Sequence, residues 1–181
     1  MARADRQPWP RGMTVIELLV CLAVAAVLAV VAWPSIGAIL AEHHASHAAD
    51  RLAASLALAR TTASARRMEV SLAPIAGANT LDRGWQLAVV GAAGGDEAGP
   101  DPPFLVVPLH ERCLHIALRA PGGVAARQSL RLTPVGYSRS ERGGFLAATF
   151  QVRCGNAQRQ VRLGAQGRIR ICRPGADADC Q

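Results

Sequence analysis

From Met13 to Trp33 the chain reads MTVIELLVCLAVAAVLAVVAW, 21 residues interrupted by a single charge, Glu17. As a helix rising about 1.5 Å per residue, this run is roughly 31 Å long, close to the hydrocarbon thickness of a bilayer. It predicts a transmembrane segment over residues 13–33. Before it, Met1 to Gly12 carries Arg3, Arg6 and Arg11 against Asp5, and Pro8 and Pro10 rule out a stable helix there. Arginines ahead of the run and none inside it put this leader in the cytoplasm and the rest of the chain on the far side. A secretory signal would have a shorter apolar core, no acid, and small residues at its far end. A carboxylate in lipid costs roughly 3 kcal/mol unless it finds a partner, so Glu17 predicts one. The free α-amino group of a neighbouring subunit would serve, once the leader that ends at Gly12 is removed. The plainer reading is a glutamate tolerated near the membrane interface.

The stretch RGMTVIELL resembles the processing site of type IV pilins and type II secretion pseudopilins. The resemblance implies that a prepilin peptidase cuts after Gly12 and methylates the new N-terminal residue, Met13, where the family usually has Phe. It also implies that Glu17, fifth in the mature chain, guides assembly by meeting the terminal amine of the adjacent subunit. Pro34 falls where the family often kinks its first helix.

Beyond Pro34 the helix can resume. Ala49, Leu52, Leu56, Ala59 and Ala63 recur at spacings of three and four and form one apolar stripe, with His43, His44, His47, Asp50, Arg51 and Arg60 on the other side. A helix is expected from about Thr14 to about Arg67, bent near Pro34, its second half packed on the head. The remainder reads as strands separated by turns: Glu69–Ala73, Gly84–Val90, Phe104–Pro108, Leu114–Arg119, Ser129–Thr133, Phe145–Arg153, Gln160–Leu163 and Arg168–Cys172. The acidic glycine-proline stretch GAAGGDEAGPDPP fits no calcium-binding pattern and reads as a loop. The expected fold is therefore α+β and pilin-like: a long N-terminal helix, its first half transmembrane, packed on an antiparallel sheet or sandwich head. Its parts are a cytoplasmic leader (1–12), the transmembrane half-helix (13–33), the extracytoplasmic half-helix (34–67) and a β-rich head with a basic tail (68–181).

Charge divides the head in two. From Met68 to Glu111 six acids face Arg83 alone, whereas from Arg112 to Arg173 twelve arginines face Glu141 alone. A stretch this basic attracts polyanions or anionic surfaces, or else serves only as a solvated surface. Every basic residue in the chain apart from histidine is arginine. Cys113, Cys154, Cys172 and Cys180 are dispersed through the head rather than paired as zinc ligands, which suits two disulfides in an oxidising compartment with three possible connectivities. Cys21 lies in the apolar run and behaves as a small hydrophobe.

Near the C-terminus, QVRLGAQGRIRICRP places Gly167-Arg168-Ile169-Arg170 after a hairpin-like turn. If Arg168 to Cys172 is extended, Arg168, Arg170 and Cys172 share one face while Ile169 and Ile171 share the other. Two guanidinium groups then project about 7 Å apart, near the spacing of successive phosphates, and Arg162 and Arg173 lie close enough in sequence to join them. The alternative is an edge strand guarded by charge against aggregation. The tail resembles the G-R-x-R motif of the FimT branch of the FimT/GspH minor pilin family, in which the arginines bind DNA during natural transformation.

No catalytic constellation, metal set or cofactor motif stands out: there is no G-x-S-x-G, no phosphate-binding loop and no H-E-x-x-H. His43 and His47 are one helical turn apart without a local carboxylate to complete a site, and His110 and His115 flank a basic segment. The residues thus point to a non-enzymatic subunit of the bacterial inner membrane with its head in the periplasm, joining other pilins or pseudopilins into a pilus or pseudopilus. Two roles fit it: a FimT-type minor pilin holding double-stranded DNA non-specifically, or a GspH-type minor pseudopilin of type II secretion with a structural role and no DNA.

Overall fold

In a computed structural model of the full chain, the described residues are 14–90, 102–120, 123–124, 128–139, 147–164 and 166–180, without the side chains of 30–35, 123–124 and 179. The chain divides into two compact units, Met1–Gly37 and Ala38–Gln181.

One helix, α1, runs Val15–Arg66. Its start follows the chemistry of a capping box: the Thr14 hydroxyl accepts from the Glu17 backbone N–H at 3.3 Å, and the glutamate stands three residues after the threonine. In the first unit, large apolar side chains from Val15 through Leu28 are open on every side. Among the described residues no helix is long and apolar enough to cross a membrane. Met13 lies outside the described residues, and α1 is assigned without a break through Pro34.

In the second unit the expected stripe is the buried side of the helix: Ala49, Leu52, Leu56, Ala59 and Ala63 are all fully enclosed, joined by Ala45 and Ala48. Alanine at five of these seven positions keeps the helix surface low, so it sits close to what it covers. The helix ends at Arg67, whose φ of 54° leaves the helical region, with the Met68 N–H closing back on the Ala63 carbonyl at 3.2 Å.

The strands form two five-stranded antiparallel sheets. The first has the order β3-β2-β1-β6-β7 and is built from β1 Val70–Pro74, β2 Gly84–Val89, β3 Leu105–Pro108, β6 Leu130–Leu132 and β7 Ser138–Arg139. The second has the order β10-β9-β8-β4-β5 and contains β4 Leu114–Ala120, β5 Gly123–Val124, β8 Ala148–Cys154, β9 Ala157–Leu163 and β10 Ile169–Cys172. All eight expected strands are present with ends moved by a few residues; β5 and β7, two residues each, were not anticipated.

Period-two alternation supplies the core. Leu114, Ile116 and Leu118 on β4 and Ala148, Phe150, Val152 and Cys154 on β8 point inward, meeting Leu72, Trp85, Leu87, Leu130 and Leu132 of the first sheet and the helix stripe in one buried cluster. Trp85 is fully enclosed, and its indole N–H donates to the Ser55 hydroxyl at 2.9 Å, which itself donates to the Arg51 carbonyl at 2.8 Å. A buried indole therefore costs no unmet hydrogen bond.

Candidate functional site

The expected tail strand forms as β10, the edge of the second sheet, paired with β9 so that Ile169 faces Leu163, Arg170 faces Arg162, Ile171 faces Val161 and Cys172 faces Gln160. Val161 and Leu163 are buried, so the register sets Ile169 and Ile171 on the core side and Arg170 and Cys172 on the other, although at this sheet edge Ile171 remains 42% exposed and Cys172, bonded to Cys180, is buried. Arg168 precedes the strand and is exposed. Arg170 and Arg162 are thus direct cross-strand partners, a like-charged placement that is unfavourable as a pair.

The register carries the pattern further. Arg162 faces Thr149 on β8, and Thr149 faces Arg119 on β4. Arg170, Arg162, Thr149 and Arg119 therefore form one outward row across four strands. Next to it, Gln160, Gln151 and Ala117 make a neutral row, and beyond that Arg153 faces His115. Strands β4, β8, β9 and β10 hold no aspartate or glutamate at any position. The sequence reading missed Arg119 and Arg153. Their signal was the alternation in LHIALRA and ATFQVRC, legible once the pairing of β4 with β8 is known.

Arg173 is not part of that row. It follows β10 on the core-side parity, and its guanidinium bonds the carboxylate of Glu42 on α1, which also receives Arg159 from β9. One helix acid thereby ties down both the edge strand's exit and the neighbouring strand.

A second helix contact fixes the strand's entry. Arg60 donates from Nη1 to the Gly167 carbonyl at 3.0 Å. Gly167 has φ 78°, and a Cβ there would stand 2.3 Å from the Gly136 carbonyl and 3.0 Å from the Arg60 guanidinium; Gly136 has φ 88° and also lies against Arg60. The glycine that opens G-R-x-R is required by this three-way contact, because a side chain would collide and the backbone is left-handed. Arg60 and Arg51, expected on the solvated side of the helix, instead reach off it to Gly167 and to the Pro108 carbonyl.

The cysteines pair as Cys113–Cys154, joining the start of β4 to the end of β8, and Cys172–Cys180, closing the tail onto β10. Cys21 is free and exposed. Elsewhere, the backbone N–H of Glu111 itself holds that carboxyl below its ordinary value, aided by the His110 N–H and the charges of His44 and Arg51 and opposed by partial burial. Among the described residues no three His, Cys, Asp or Glu side chains gather as a metal site would need. Gly12 and Met13, the expected processing site, lie outside the described residues; Glu17 sits in the first turn of α1.

Comparison with known proteins agrees with this arrangement. The family model described as type II transport protein GspH matches residues 48–175, and the prokaryotic N-terminal methylation motif matches residues 10–33. A crystal structure of the type IV minor pilin FimU from Pseudomonas aeruginosa superposes with a TM-score of 0.52 at 21% identity, covering 70% of this chain and 87% of that one. A second crystal form of FimU gives a TM-score of 0.47 at 20% identity over 70% and 91% of the two chains. No curated protein matches the chain. At these identities the FimU likeness speaks for the fold alone, a long helix packed on antiparallel sheets.

Proposed function

The chain belongs to the type II transport protein GspH family, a minor pilin or pseudopilin by role, and from that premise we propose that it is a minor pilin whose head holds duplex DNA without reading its sequence. In this reading the leader is cut after Gly12, Met13 is methylated, and residues 13–33 anchor the subunit in the inner membrane before assembly. Residues 34–67 then carry the helix outward, and the head of residues 68–181 stands in the periplasm, where disulfides persist. Glu17 serves twice, its backbone N–H capped by the Thr14 hydroxyl and its carboxylate as the acid that meets the neighbouring subunit's amine.

The observation that carries the DNA reading is the position of Arg162. An edge strand guarded against aggregation needs charge only on its own residues, which accounts for Arg170. Arg162 lies one strand inside the edge and directly opposite Arg170, where edge defence gives no reason for a second guanidinium. A polyanion gives that reason, because guanidiniums side by side on adjacent strands can meet neighbouring phosphates, whose bound counterions are released. Among the described residues the outward rows of these strands carry no aromatic (Phe, Tyr or Trp) side chain, so stacking is not expected. Arg168 and Arg170 contact phosphates, Arg162 supports them, and Arg173, held by Glu42, shapes the strand end.

The family model's own description favours a second reading, a type II secretion pseudopilin whose basic face meets another subunit. The two separate in one experiment. In the DNA reading the full-length protein in detergent binds random-sequence duplex DNA with steep salt dependence. Arg168→Gln with Arg170→Gln lowers the slope of log affinity against log salt by roughly 1.8, or about 0.9 per contact. Wild-type and variant proteins that bind equally weakly would leave the secretion reading standing.

A further inference from the structure

Resting on the DNA reading above, we propose that the phosphate track does not stop at the tail but crosses the outer face of the second sheet to a second seat at Arg119. The row Arg170, Arg162, Thr149, Arg119 places one residue on each of four adjacent strands. Strands are spaced about 4.8 Å apart, so the row is about 14 Å long, two phosphate steps of about 7 Å. At its far end Arg119, Thr149, Gln151, Gln160 and Arg162 line a recess of about 470 Å³ beside Cys180. Guanidinium, hydroxyl and carboxamide groups are the donors that bind phosphodiester oxygens, and among the described residues that line the recess there is no acid.

Arg119 differs from the tail arginines in a way that matters. It lies on β4, next to the sheet's far edge strand β5, and is exposed. Neither the tail motif nor defence of the β10 edge places a cation there. The acid-free strands between it and Arg170 keep the field continuous, whereas an intervening aspartate or glutamate would divide it. The face is thus a strip that meets a sugar-phosphate backbone running across the strands, with the tail at one end and Arg119 at the other.

The test uses the full-length protein in detergent and random-sequence duplex DNA, from about 50 to about 200 mM salt, a rise over which each phosphate contact is worth about a 3.5-fold loss of affinity. Arg119→Gln is expected to lower the salt slope by about 0.9, as one lost contact does. Arg131→Gln is the control: this arginine lies on β6 of the other sheet, 4.0 Å from Glu69, and its loss changes net charge equally. A reduced slope for Arg119→Gln with an unchanged slope for Arg131→Gln supports the track. Equal reductions in both overturn it in favour of overall charge. An unchanged slope for Arg119→Gln, while Arg168→Gln with Arg170→Gln still lowers it, overturns the track and leaves the tail reading intact. If neither set moves the slope, the DNA reading itself falls and the track falls with it.

Discussion

The two sheets of the head are alike in strand number and unlike in charge. In the first, Arg131 and Arg139 both approach the carboxylate of Glu69, at 4.0 and 3.9 Å, and the other three strands carry no charged residue. In the second, Arg119, Arg153, Arg159, Arg162 and Arg170 lie in strands with no acid of their own, and the helix acid Glu42 reaches Arg159. Cations that approach a local acid describe an ordinary wet surface. Cations gathered on strands without acids of their own make a positive field that draws anions. The contrast therefore assigns the proposed DNA contact to one sheet, which a net charge of +7 spread over the chain does not do.

Three substitutions break or sharpen that contrast. The largest effect belongs to the second sheet's staple: Cys113→Ser with Cys154→Ser opens a link between residues 41 apart and should cost about 4 kcal/mol on the chain-entropy account, read by denaturant unfolding. If unfolding is unchanged, the sheet holds its pairing without the staple. Gly167→Ala comes next, because it acts where the Gly136 turn of the first sheet presses on the entry to β10. A left-handed alanine with no room for its Cβ should cost about 2 kcal/mol and weaken DNA binding in protein that remains folded. Wild-type stability in this variant would show that the contact with Gly136 and Arg60 does not constrain the strand. The smallest effect is that of Glu69→Gln, which makes the first sheet acid-free like the second. Stability should fall by less than about 1 kcal/mol, since both ion pairs are partly exposed. A gain in DNA affinity as large as the loss caused by Arg119→Gln would mean that net charge, not placement, governs binding.

What could be read from the chain alone follows the range of the interactions involved. The helix stripe from Ala49 to Ala63 was legible because one face of a helix repeats within a few residues, and the eight longer strands were legible because alternation is equally local. The strands β5 and β7 were not, since two residues hold no period. The tail arginines stood out as a short motif, yet their partner Arg162 was only a neighbour in sequence until the register set it opposite Arg170. Arg119 was invisible for the same reason at longer range. The fates of Arg60, Arg51 and Arg173 were also hidden: each is bound by a group distant in sequence, and helical periodicity assigns a long side chain to a face without saying how far it reaches. The cysteine pairing had three solutions until the β4–β8 ladder brought Cys113 and Cys154 together.

The Cys113–Cys154 bond sits at one end of the six-pair ladder along which β4 and β8 run side by side. Adjacent strands pulled apart from one end open like a zipper, one hydrogen-bonded pair at a time, and such peeling needs little force. Sealed covalently at that end, this pair cannot be unzipped from there, and a load applied at the sealed end falls on a covalent bond. For a subunit that belongs in a fibre, resistance to traction is then built into the same sheet that carries the arginines.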